Sequence, residues 1–234
     1  MSPSAAAADR RFFGIAAVVV ALVVFAGFAR TYYLKPIFGT PALSGLVHVH
    51  GVVMTLWFAL LIVQVRLVAT HRTDLHRKLG VAGALLALAV VLVGVATAIT
   101  AARLGHTPGP PPLAFLIVPL TDMLVFTLLV GTGLALRRRP AAHKRLMLLG
   151  GVGMLTAAIA RLPLLPLLPG DIIVTAISLT VLGVVVCVAV DTWRQRRLHP
   201  ALLAGGLLIV VSWPLRLALS GTPTWQRVAG WLIG

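Results

Sequence analysis

The chain is short of acid. Only 5 of its 234 residues are acidic, and all five are aspartate: Asp9, Asp74, Asp122, Asp171 and Asp191. So few carboxylates argue against hydrolase and acyl-transfer chemistries that need acid-rich or Ser/His/Asp sets. Cysteine is nearly absent too. The single Cys187 cannot form an internal disulfide or a Cys-based metal site, and in its apolar run it reads as a small buried hydrophobe. No Gly-rich phosphate loop, HExxH or nucleophile elbow is present. Charge as a whole is sparse: 11% of residues are charged and 59% are hydrophobic. Soluble domains carry about a quarter charged residues. The chain therefore reads as a membrane protein whose solvent is the bilayer.

What is present is hydrophobic length. A spanning helix needs roughly 20 apolar residues, and seven runs qualify: Phe12–Ala29, Leu46–Ala69, Leu79–Ala102, Leu113–Leu136, Leu146–Leu165, Ile172–Val190 and Ala201–Leu219. The expectation is an all-α polytopic bundle of about seven helices in one domain, residues 1–234. The first run also carries an "RR" start and a "GFA" ending, which fit a cleaved signal and would leave six helices. The Pro-rich "HTPGPPP" reads as an extended loop, and "TPTWQRVAGWLIG", with Trp225 and Trp231, as an interfacial tail.

Net charge is +15, from 20 Lys and Arg. In a soluble protein this would suggest nucleic acid. Here the cations cluster in short loops between apolar runs, the pattern of cytoplasmic loops facing anionic lipid, so the expected partner is the bilayer and not nucleic acid. With the N-terminus inside, all but Arg30, Lys35, Arg103, Arg161, Arg216 and Arg227 fall on the cytoplasmic side, so the expected topology is N-terminus in and C-terminus out.

Ionisable residues inside apolar runs are functional candidates by default. His48 and His50 open the second run. Two residues apart is about 200° of helical rotation, so they cannot both face one partner. His48 reads as interfacial and His50 as inward-facing. Asp122 sits mid-run and needs a partner, a proton or a watery cavity. Arg161, on the adjoining fifth run, is its expected partner. Arg30 and Arg216 end the first and seventh runs near the same surface. Arg30, His50, Asp122, Arg161 and Arg216 thus form an expected outer-half pocket, suited to a haem propionate or a quinone head. On the inner side "RLVATHRTDLHRKLGVAGALL" and "GLALRRRPAAHKRLMLLGGVG" align without a gap when His76 is laid on His143, which suggests a repeat of helix hairpins two–three and four–five. Two imidazoles so placed are the usual axial pair of a membrane b-type haem, although a His beside Lys or Arg at a helix start also fits the headgroup layer. His71, His106 and His199 read as solvated loop residues.

The stretches "RTYYLKPIFG", "HVHGVVMTLWFALLIVQ", "LHRKLGVAG" and "HKRLMLLGG" together resemble a group of uncharacterised bacterial inner-membrane proteins over roughly residues 30–165. The His-bearing helix ends are more loosely similar to membrane b-type cytochromes and to haem–copper oxidase assembly proteins. The chain lacks the two well-spaced intramembrane His pairs of a two-haem cytochrome. The resemblance implies a bacterial inner membrane and a respiratory-chain or oxidase-assembly partner. The resulting expectation is a redox-linked membrane protein that binds haem or quinone. Asp122 and His50 would be catalytic. His50, His76, His143, Arg30, Arg161 and Arg216 would hold the cofactor, and His50, His76 and His143 would be the metal ligands. A proton-coupled transporter of a small anion and a non-catalytic assembly or scaffold subunit are the alternatives.

Overall fold

A computed structural model of the chain describes residues 3–108 and 111–234. Among the described residues there are helices and turns and no strand. The longest helices are α1 (Pro3–Phe28), α3 (Gly45–Ala69), α4 (Thr73–Arg103), α5 (Pro112–Ala135), α8 (Ile172–Gln195) and α9 (Pro200–Ser220). A π-helical turn, Ala29–Tyr33, extends α1 and leads into the short α2 (Lys35–Phe38). Six helices, the first taken from Ala7 through Tyr33, are long and apolar enough to cross a membrane, so the chain is a multi-pass membrane protein. The loop expected to be held extended by prolines includes residues 109 and 110, which lie outside the described residues; the preceding His106 is exposed.

The run expected as a continuous helix over 146–165 is split. α6 (Pro140–Val152) stops after 13 residues. A turn through Gly153–Leu155 leads to the single-turn α7 (Thr156–Ile159), and a 3-10 turn at Leu165–Leu167 follows. The cause is local. Gly150, Gly151 and Gly153 each cost a helix about 1 kcal/mol relative to Ala. Pro163, Pro166 and Pro169 then remove the backbone donors that a continuing helix needs. At about 1.5 Å per residue α6 alone reaches only ~20 Å.

Side-chain contacts fix the register of this broken segment. Lys144 pairs with Asp9, so α6 begins beside the start of α1. Gly27, near the end of α1, packs so closely on the Ala158 carbonyl of α7 that a Cβ would collide with that backbone. The segment therefore runs parallel to α1. Against α8 it runs antiparallel, as the Arg145–Asp191 pair and the Thr156–Thr180 hydroxyl contact at 2.9 Å require.

The starts of α4 and α6 and the ends of α5 and α8 meet at one end of the bundle, where most Lys and Arg also lie. This is the basic end. At the far end, the C-terminal α10 (Pro223–Ile233) is capped by Thr222 and tied down by Trp225 Nε1, which donates to the Leu113 carbonyl at 2.8 Å. Trp231 is 79% exposed, as the interfacial reading of this tail expects. The core runs along α5, where Phe126, Leu129 and Val130 pack on Trp57, Leu149 and Ile209. The Trp57 and Phe126 rings meet edge-to-face at 5.0 Å. Outward faces are apolar as well: Val81, Leu85 and Leu92 on α4 are exposed, the pattern of a surface that faces lipid.

Candidate functional site

Each of the five carboxylates has a defined place. Asp171 caps α8, accepting from the Ile173 and Val174 amides at 2.9 Å, and Asp74 lies in the first turn of α4, where a negative charge complements the helix dipole. The other three form ion pairs.

Asp122 pairs with Arg216, not with Arg161. Arg216 Nη1 donates to Asp122 Oδ1 at 2.5 Å across α5 and α9. Arg216 Nη2 donates to Ser212 Oγ at 3.1 Å, and Ser212 donates on to the Ile209 carbonyl at 2.7 Å. The guanidinium carbon lies 4.1 Å from the Trp213 ring centre. Arg216 is 2% exposed. Taking two charges out of water costs several kcal/mol per ion, so the pair persists only because each partner answers the other. Pro119 and Pro214 stand within a turn of Asp122 and Arg216 and interrupt the regular backbone donors there.

The arrangement is incomplete in one respect. Arg216 Nε and Trp213 Nε1 are buried and have no hydrogen-bond partner. Unmade bonds of this kind cost about 1–3 kcal/mol each. Arg216, Trp213 and Ser220 line a cavity of about 70 Å³ whose other walls are apolar, including Phe115 and Val118 of α5 and Ile173 and Ile177 of α8. The two unused N–H groups belong to residues that line this slot, but the nitrogens are themselves buried.

The expected five-residue pocket therefore divides. Asp122 and Arg216 come together. Arg161 lies exposed over the Phe28 ring, 5.0 Å from its centre, and donates to the Ala157 carbonyl at 2.7 Å. His50, on α3, is half-buried. Arg30 is exposed and covers Phe38 at 5.3 Å. The break after α6 is the physical reason: without a continuous fifth helix, Arg161 is placed against the end of α1 and not beside α5. His48 is exposed, as expected, and its carbonyl accepts from the Tyr32 hydroxyl at 3.2 Å.

At the basic end the His76 and His143 rings lie 6.2 Å apart. Sequence reasoning missed the ion pairs around them. Arg145, 3% exposed, donates from Nε and Nη2 to the two oxygens of Asp191 at 2.8 and 3.0 Å. Asp9 joins Lys144, Gln195 and Arg194. The available signal was an isolated Asp beside a basic run, as in "ADRR" and "VDTWRQRR". His199 is not simply solvated: its Nδ1 accepts from the Ala201 amide at 3.2 Å and caps α9. Burial, then the Arg145 guanidinium, push His199 below its ordinary pKa, and the neutral ring is the form that can accept.

No three His, Cys, Asp or Glu residues converge in metal-binding geometry among the described residues. No family model matches the chain, and no curated protein or solved structure matches it either.

Proposed function

We propose that this is an integral protein of a bacterial inner membrane that binds a quinone and is linked to electron transfer. In this reading the basic end faces the cytoplasm, the C-terminus lies outside, and the broken α6–α7 segment counts as a seventh crossing. The observation that carries it is the pair of unpartnered donors, Arg216 Nε and Trp213 Nε1, on two residues that line a largely apolar cavity near the half-buried Asp122 carboxylate. A quinone ring would supply carbonyl acceptors for those donors, and the slot, at about 70 Å³, would have to widen to take its apolar body. Reduction to the quinol takes up two electrons and two protons. Asp122, reached through Arg216, would pass a proton toward a carbonyl oxygen, Arg216 would steady the negative charge that develops there, and a respiratory-chain partner would supply the electrons. His50 and Arg161, nearer the far end, would lie on the proton's route to that surface.

The test is direct. Protein extracted in mild detergent should carry quinone into the organic phase, and the depleted protein should bind added short-chain quinone with quenching of tryptophan fluorescence. R216A should abolish that binding, and W213F should weaken it about tenfold, the worth of one hydrogen bond in a dry site. Wild-type protein that neither carries nor rebinds quinone ends this reading. A haem reading predicts a Soret band from the same extract.

One observation favours a second reading, a proton-coupled transporter of a small anion: discontinuous helices such as α6–α7 often mark transport sites. It predicts pH-gradient-driven anion uptake into proteoliposomes that D122N abolishes.

A further inference from the structure

The quinone reading does not use the two imidazoles at the basic end. His76 is in the first turn of α4 and His143 in the first turn of α6, and the last turns of α5 pass between these helices. The ring centres are 6.2 Å apart and the planes cross at 78°. A direct N–H···N hydrogen bond between facing imidazoles would put their centres roughly 5 Å apart. Two imidazoles on opposite sides of one metal ion, each nitrogen about 2.0 Å from it, stand roughly 6 Å apart. The observed separation matches the second case.

Both rings are held from behind. His143 Nδ1 lies 2.8 Å from the Gly133 carbonyl, which can only accept, so Nδ1 carries the proton and Nε2 keeps a free lone pair. Gln64 of α3 meets His76 Nδ1. With its nitrogen toward the ring it donates to Nδ1 at 2.7 Å while its oxygen accepts from the Gly80 amide at 3.1 Å, an arrangement that puts the neutral His76 proton on Nε2. Ligation through Nε2 would move that proton to Nδ1 and turn the Gln64 amide over to accept it, giving up the Gly80 contact. A carbonyl or amide behind each ring is the usual second layer of a histidine–metal site.

Charge narrows the metal. No carboxylate or thiol joins the two rings among the described residues. Arg77 is close enough to act on His76, and Lys78, Lys144 and Arg137 to Arg139 follow closely in sequence. Two neutral ligands in cationic surroundings offset little of a dication's charge. The cuprous ion is monovalent, has a filled d shell, accepts imidazole and tolerates two-coordination. We infer that His76 and His143 form a two-coordinate site for one cuprous ion at the basic end of the bundle, independent of the quinone reading.

The test equilibrates the intact, detergent-solubilised protein with cuprous ion under a non-thiol reductant, against a chromophoric cuprous chelator. One ion per chain should bind. H143A and H76A should each weaken binding at least 100-fold, and Q64A about tenfold, the lower end of a second-layer effect. Unchanged melting of the copper-free variants separates lost ligation from misfolding. X-ray absorption at the copper edge should show two nitrogen neighbours and no sulfur. No stoichiometric binding, wild-type affinity in either histidine variant, or a sulfur neighbour would overturn the inference. So would a Soret band in purified wild-type protein that H143A removes, because the pair would then hold a porphyrin iron.

Discussion

The two ends of the bundle use the same chemistry to different effect. At the basic end, Arg145 and Asp191 close on each other through two hydrogen bonds in a nearly water-free setting, with Arg145 Nη1 spent on the Ala141 carbonyl at 2.7 Å. Arg194 has an unpartnered nitrogen there too, but its side chain is 14% exposed and within reach of water. Toward the far end, Arg216 meets Asp122 through one nitrogen, and its Nε is left over beside an apolar cavity. A buried arginine with every donor used holds helices together. A buried arginine with an unpartnered nitrogen, on a residue that lines a cavity, leaves a hydrogen bond unmade.

The comparison can be broken at several strengths. The largest effect should come from D191A, which leaves Arg145 charged, buried and alone; a loss of about 3–5 kcal/mol is expected, read from thermal melting in detergent. The double change R145M/D191L should recover most of that loss, because it removes both charges. If D191A melts like wild type, the basic end is not held by this pair.

Next in size is G27A. Its new Cβ would meet the Ala158 backbone, which cannot swing away as a flexible side chain would, and the expected cost is about 1–3 kcal/mol from separating α1 and α7. The neighbouring G14A has open space around its Cβ and serves as a control that should not lose stability.

W213F sharpens the contrast by separating stability from binding. It deletes an N–H that has no partner in the ligand-free protein, so the melting temperature should hold or rise even as quinone affinity falls. A drop in both would show that the indole is structural.

The smallest effect concerns pH. His199 has its pKa lowered in the folded protein, so the unfolded chain takes up its proton first as pH falls. The stability tied to this cap is present above about pH 6.5, the ordinary histidine value, and is lost as pH drops through the folded pKa below it. Asn caps helices equally well without titrating. H199N should therefore keep stability at pH 7.5 and shrink the loss seen at pH 5.5.

Much of the fold was legible because bilayer-length apolar runs admit few alternatives, and six of the seven runs form continuous helices. The split of the remaining run was written in Gly150, Gly151, Gly153 and the three prolines that follow, but hydropathy averaging conceals such signals. The candidate site was only half legible. Asp122 and Arg216 each stood out as charges in apolar surroundings. Their pairing did not, because they are 94 residues apart in sequence and the nearer Arg161 was the obvious partner. His76 and His143 were visible together because one basic hairpin pattern occurs twice.

By itself, then, the sequence determined the solvent, the helices and the sorting of charge to one end. These follow from local composition, since a backbone in lipid must satisfy its own hydrogen bonds and a cation avoids hydrocarbon. Only the tertiary structure decided which acid meets which base, where a donor is left unpaired and where a cavity opens beside it. Those outcomes depend on how helices distant in sequence approach and rotate against each other, which local composition does not encode.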